Sequence, residues 1–207
     1  MSKAPHFGVE RRLARDAFWP VAGIDEAGRG PLAGPVAAAA VILDPRKLPY
    51  GVDDSKRLSS EARDAFYAVI LRDALAVSIA FASPGEIDAV NIRQATFAAM
   101  RRAAGGLSLR ARFILIDGAD TPPGLACGAL AIVRGDASSL SIAAASIVAK
   151  VTRDRLMRRL ATLYPHYGFD AHVGYGTPDH LAAIVRHGPC PFHRLSFSPF
   201  KQMSANA

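Results

Sequence analysis

Apolar and polar positions along the 207-residue chain fall into blocks whose period changes from strand-like to helix-like. Val21 to Ile24 and Val36 to Leu43 are short continuous apolar runs, the pattern of strands covered on both faces, and Gly28 to Pro35 between them has the Gly and Pro content of a turn. Ser59 to Arg72 carries apolar residues at Ala62, Phe66, Val69 and Ile70, a helical spacing, and Ala74 to Phe81 reads as another strand. Ser83-Pro84-Gly85-Glu86 has the form of a capping box with proline at the first helical position, which predicts helical segments through about Ala104. Arg112 to Ile116 and Leu130 to Val133 are short apolar strands that lead into Asp117-Gly118 and Gly135-Asp136. Ser139 to about Leu163 is the longest helix candidate, apolar in its first half and basic in its second. Thr177-Pro178-Asp179 supplies an N-cap and an N1 proline for a short helix that Gly188 ends. Residues 1–20, with Arg11, Arg12 and Arg15, read as a loosely ordered arm. The order of elements predicts a mixed α/β domain over residues 21–163 and a helical extension over 164–207.

Composition narrows the partner rather than the fold. Half the residues are hydrophobic and 21% are charged, so a sizeable core is available and the composition is not that of a disordered chain. A net charge of +7 favours nucleic acid or another polyanion as partner. Cys127 and Cys190 lie far apart and form neither a CxxC site nor a disulfide framework, which suits a reducing, cytoplasmic setting. The N-terminal stretch has no apolar h-region, so no secretory signal is read there. The longest apolar run, Val36 to Leu43, is far too short to span a bilayer, and no membrane partner is expected. No oligomerisation surface is evident, and a monomer is expected.

Chemistry concentrates where apolar runs meet acids. Asp25-Glu26, Asp117 and Asp136 each follow an apolar strand, and strand ends from different parts of a sheet converge in α/β folds. Four carboxylates within reach of one another repel, and divalent cations relieve the repulsion. Oxygen-only ligands favour Mg²⁺ or Mn²⁺ over zinc, and two such ions roughly 3.5–4 Å apart support in-line phosphodiester displacement. The turn Gly28-Arg29-Gly30 adds bare backbone N–H groups and one guanidinium, which suit a phosphate. The plainer reading makes Asp117 and Asp136 turn caps, since Asp-Gly and Gly-Asp are common turn pairs. Gly23 to Gly30 is not a Walker A loop, because Arg29 and Gly30 stand where Lys and Ser/Thr belong. His172, His180 and His193 have irregular spacing and no supporting cysteine, so zinc is not assigned.

With these residues in view, the chain resembles bacterial type 2 ribonuclease H from Val21 to Pro199. The resemblance rests on the run Gly23 to Val36, on Asp54-Ser55-Lys56, Ile116-Asp117-Gly118 and Gly135-Asp136, on Ser141 to Asp154, and on Tyr164-Pro165, Gly174-Tyr175-Gly176-Thr177 and His193-Arg194-Leu195-Ser196-Phe197. It implies a ribonuclease H-like mixed β-sheet flanked by helices, with a C-terminal helical extension. The implied activity is endonucleolytic cleavage of RNA in RNA–DNA hybrids and 5′ to single ribonucleotides in duplex DNA. By the same resemblance, Asp25, Glu26, Asp117 and Asp136 would be catalytic and hold two Mg²⁺ or Mn²⁺ ions, while Gly28, Arg29, Gly30 and Tyr175 would read the junction between a ribonucleotide and the DNA after it. Ser55 and Lys56 are candidate phosphate contacts, against the plainer reading of a solvated loop.

Arg29 has an alternative, pairing with a neighbouring carboxylate, and Lys150 and Asp154 are spaced for an i,i+4 pair. One departure is visible: Val173 stands where the family usually has lysine, which removes a possible phosphate contact. Two other functions compete. A resolvase- or transposase-type nuclease of the same fold would ignore the 2′-OH, and a non-catalytic hybrid-binding module would bind without cutting.

Overall fold

The computed structural model describes residues 4–52 and 58–203, so the candidate contacts Ser55 and Lys56 lie outside the described residues. Five strands form one mixed sheet in the order β3-β2-β1-β4-β5: β1 (Val21–Ala27), β2 (Val36–Ile42), β3 (Ala76–Ala82), β4 (Phe113–Asp117) and β5 (Gly128–Ile132). β1 pairs antiparallel with β2, and β2 with β3, whereas β4 runs parallel to both β1 and β5. The expected mixed sheet with flanking helices is therefore present. β1 runs past its apolar stretch because Asp25 and Glu26 stay in the ladder opposite Ala39 and Ala38.

Strand parity explains the alanine content of β2. Ala38, Ala40 and Ile42 face α4 (Ile92–Gly105), and Ala39, Val41 and Leu43 face α5 (Leu140–Leu163). Small residues on both faces let two helices approach the same strand closely, which a row of larger side chains would prevent. α2 (Ser60–Asp73) packs beside α5, and α3 (Pro84–Val90) precedes α4. The capping box at Ser83 and Glu86 forms as expected. Asn91 separates α3 from α4: it has φ +69°, and its side chain accepts from the Arg93 and Gln94 N–H groups.

One departure from the sequence reading stands out. The supposed loose arm contains a helix, α1 (Gly8–Arg15), whose Glu10 is fully buried. Its carboxylate accepts from Ser139 Oγ at 2.6 Å and from the Ser141 N–H at 2.9 Å, so it caps the start of α5. The C-terminal segment, with α6 (Phe169–His172), α7 (Pro178–His187) and α8 (Phe200–Met203), is the expected helical extension. Tyr167, Phe169, Ile184 and Phe200 pack on Met157 and Leu160 of α5 and on Ala33, which joins this segment to the loop between β1 and β2.

Candidate active site

The two adjacent acids of β1 point to opposite faces of the sheet. Ala22 and Ile24 face α4, whereas Gly23 faces α5 so closely that a methyl there would overlap the Ser141 backbone. Asp25 shares the Gly23 face and is hydrogen-bonded by the Ser146 side chain of α5. Glu26 takes the other face, beside Arg93, Thr96 and Phe97 of α4. The last paired residues of β1 and β4 are Ile24 and Ile116, so Asp25 and Asp117 follow side by side at one edge. Asp117 Oδ1 accepts from the Gly135 N–H at 2.7 Å, which ties down the segment carrying Asp136. Asp136 itself is not at a strand end. It lies buried in the 3₁₀ turn Gly135–Ala137, after Arg134 in the left-handed region at φ +56°.

Asp25, Glu26 and Asp117 line one cleft of about 360 Å³, together with Gly28, Arg29, Gly30 and Tyr175. Asp136 is not part of its wall. Ala27 and, from α5, Ser146, Lys150 and Arg153 complete the lining, and sequence reasoning assigned none of them to the site. A polar Ser146 within an apolar helical run, four residues before Lys150, was the available signal. Lys150 bonds Asp154 at 2.9 Å, the i,i+4 pair its spacing predicted.

The cleft is electrostatically frustrated. Burial holds the Asp25 carboxyl well above its ordinary range, and the charges of Glu26 and Asp117 push it the same way. Burial also raises Glu26, although the Arg29 guanidinium, 3.3 Å away, pulls it back. Arg29 thus adopts the carboxylate pairing, while half its side chain stays exposed at the rim.

The turn that follows is shaped by what lies beneath it. Gly28 has φ +92°, and a methyl on it would overlap the Arg153 side chain. A methyl on Gly30 would meet only the Tyr175 ring, at 3.8 Å. Tyr175 is half-exposed, and its loop is tied to the turn by the Leu32 N–H, which donates to the Gly174 carbonyl at 2.8 Å. Val173 adopts φ +45° and packs on the C-terminal cluster. The three histidines with irregular spacing are gathered behind this loop. His172 stacks on His180 at 4.4 Å, and His180 meets His193. Their ring nitrogens are engaged with one another and with the backbone of Tyr167, Gly174, Tyr175 and Cys190.

The donor set in the cleft suits a hard divalent cation: three carboxylates, mutually repelling, with a single guanidinium against Glu26. As the side chains stand, no three His, Cys, Asp or Glu among the described residues form a group that could hold an ion. Asp25 turns one oxygen to the Glu26 N–H, 2.6 Å away, and Glu26 leans on Arg29. The fit therefore lies in donor chemistry rather than in a finished cage.

A mixed sheet with carboxylates at the edge of its central strands, beside a helix-backed cleft, defines a ribonuclease H-like nuclease. The ribonuclease HII family model matches residues 22–200, and the chain belongs to that family. It is 59% identical to the ribonuclease HII of Rhizobium meliloti (strain 1021) over 199 residues, covering 96% of this chain and 92% of the relative. The crystal structure of the ribonuclease H2 from Pyrococcus horikoshii OT3 superposes with a TM-score of 0.77 at 26% identity, covering 90% of this chain and 97% of that one. The Archaeoglobus fulgidus RNase HII, solved in complex with PCNA, gives a TM-score of 0.71 at 27% identity over 86% of this chain and 95% of that one. Family membership makes the chain a hydrolase, an endonuclease of the ribonuclease H type acting on RNA paired with DNA. No helix among the described residues is long and apolar enough to cross a membrane.

Proposed function

We propose that this chain cuts the RNA strand of RNA–DNA hybrids and, in duplex DNA, cuts on the 5′ side of a single embedded ribonucleotide, leaving 3′-OH and 5′-phosphate ends. Asp25, Glu26, Asp117 and Asp136 would hold two divalent ions, Mg²⁺ or Mn²⁺. Bound there, the ions supply an activated water and neutralise charge on the departing oxygen. The chain's own residues do the rest. Ser146 keeps Asp25 oriented by its hydrogen bond. Gly28-Arg29-Gly30 brings backbone close enough to read a 2′-OH, the group that separates RNA from DNA. Tyr175 stacks on the sugar that follows, and Arg29 at the rim meets a backbone phosphate, with Ser55 and Lys56 as further phosphate contacts.

The observation that carries this reading is the shared cleft: three carboxylates, a turn without side chains at Gly28 and Gly30, and the Tyr175 ring all line one cavity. The test is cleavage of an end-labelled RNA–DNA hybrid with Mg²⁺, Mn²⁺ or EDTA, followed by analysis of the product ends. Metal-dependent cutting to 3′-OH and 5′-phosphate is expected. Cutting that persists in EDTA, or 2′,3′-cyclic phosphate ends, would contradict it.

A further inference from the structure

Two arginines, Arg153 and Arg194, are almost wholly buried, yet neither has an ion-pair partner among the described residues. Each guanidinium instead donates to three backbone carbonyls. Arg194 donates through Nε to Gly34 at 2.9 Å, through Nη1 to Arg29 at 2.8 Å and through Nη2 to Gly28 at 2.6 Å. Arg153 donates to Pro35 at 2.9 Å, to Ala33 at 3.0 Å and to Val173 at 2.9 Å. Five of these six carbonyls belong to residues 28–35, and the sixth opens the Tyr175 loop.

Burying a charge away from a counter-ion is costly, and a fold that needed only to fill this space would do so with apolar side chains. What the guanidinium alone offers is a rigid planar fork of donors that reaches several carbonyls at once. A trans peptide points its C=O and its N–H in opposite directions. Because Arg194 draws the carbonyls of Gly28 and Arg29 inward, the N–H groups of Arg29 and Gly30 face away from it, on a turn that lines the cleft. Arg153 lies directly beneath Gly28 and leaves no room for a side chain there. Arg194 is anchored from behind, where Asp88 of α3 accepts from the N–H groups of Leu195 and Ser196, both at 2.9 Å. The Phe197 ring covers its guanidinium, with the central carbon 5.2 Å from the ring centre.

We propose that Arg194, supported by Arg153, is a positioning residue: it fixes the peptide orientation of the Gly28–Gly30 turn and so sets recognition of the ribonucleotide from beneath, without touching the nucleic acid. This rests on the reading of that turn as the 2′-OH sensor.

The test uses the full chain with Arg194→Lys and Arg194→Ala, on duplex DNA containing one ribonucleotide and on an all-DNA duplex, with thermal melting alongside. Arg194→Lys keeps the charge but loses the fork. It is expected to melt cooperatively, to keep KM close to the wild-type value, and to lose about 100-fold in kcat, the scale of an ångström-sized misplacement. Arg194→Ala should regain activity when millimolar guanidinium is added, at concentrations that do not change the wild type. A folded Arg194→Lys with wild-type kcat overturns the proposal, as does a folded Arg194→Ala that guanidinium does not rescue. Failure of both variants to melt cooperatively also overturns it, since Arg194 would then serve folding alone. A wild-type enzyme that cuts both duplexes equally overturns the reading of the turn instead, whatever the variants do.

Discussion

His180 and His193 meet through their Nε2 atoms, 3.1 Å apart in the buried space behind the Tyr175 loop. One pair of tautomers satisfies the shortest of the surrounding bonds. The Tyr175 carbonyl, 2.8 Å from His180 Nδ1, requires a proton there, so His180 Nε2 is the acceptor. The Cys190 N–H donates to His193 Nδ1 at 2.9 Å, closer than the Cys190 carbonyl at 3.3 Å, and in that arrangement His193 carries its proton on Nε2 and gives it to His180. A second proton on either ring breaks this chain. Burial and the neighbouring His180 push His193 down to about 4, and burial also lowers His180.

Unfolded His193 titrates near its ordinary 6.5 and takes up a proton more readily than the folded residue. Its contribution to stability is complete above that value and is lost as pH falls towards 4, a total of about 3 kcal/mol. Denaturant titrations between pH 7 and pH 4 should show this loss in the wild type and a smaller one in His193→Gln. Asp25 and Glu26, whose carboxyls are raised, act in the opposite direction, so the difference between the two proteins is the quantity to read.

Asp25→Asn should separate stability from activity. A carboxyl raised by burial opposes folding at neutral pH, because the unfolded chain ionises it freely, and this opposition is relieved as pH falls. The amide removes the buried charge, so the metal-free variant should melt at a higher temperature than wild type at pH 7. Cleavage should fall on the order of 10³-fold or more, since the proposed metal site would supply several kcal/mol to the transition state. Calorimetry and a hybrid-cleavage assay test both halves.

Gly23→Ala should be among the most damaging single methyl additions. The new carbon would overlap the Ser141 carbonyl group and the Ile142 nitrogen, all backbone atoms at the start of α5, so no side-chain rotation relieves it. A loss of roughly 3 kcal/mol or more is expected, at the upper end of overpacking effects, and urea unfolding measures it.

Val173→Lys should restore a phosphate contact. A β-branched residue at φ +45° is also unfavourable, so an unbranched side chain fits the backbone at least as well. Binding to a hybrid should tighten, and the slope of log affinity against log salt should steepen by about 1. An unchanged slope would remove Val173 from the nucleic-acid surface.

What could be read from the chain followed local rules. Asp25-Glu26 and Asp117 stood out because apolar runs end on acids, and parallel pairing of β1 with β4 brings those ends together. Asp136 follows β5, but the left-handed Arg134 places it in a buried 3₁₀ turn rather than at the strand end, a conformation that periodicity does not encode. Long-range partnerships were illegible. Glu10 looks like one more charge in a basic arm until its carboxylate is seen on Ser139 and Ser141. Arg153 and Arg194 resemble surface cations because nothing local signals that carbonyls far along the chain will surround them. The histidines, eight and thirteen residues apart in sequence, meet only once α7 and the following turn close on α6.

Under the proposed function, one cleft both reads a 2′-OH and hydrolyses the bond beside it. The most direct test is duplex DNA carrying a single ribonucleotide, end-labelled and incubated with Mg²⁺ or Mn²⁺, beside an all-DNA control and the Asp25→Asn variant. A single cut on the 5′ side of the ribonucleotide is expected, with no cut in the control and none with the variant. Equal cutting of both duplexes, or cutting that survives Asp25→Asn, would contradict it.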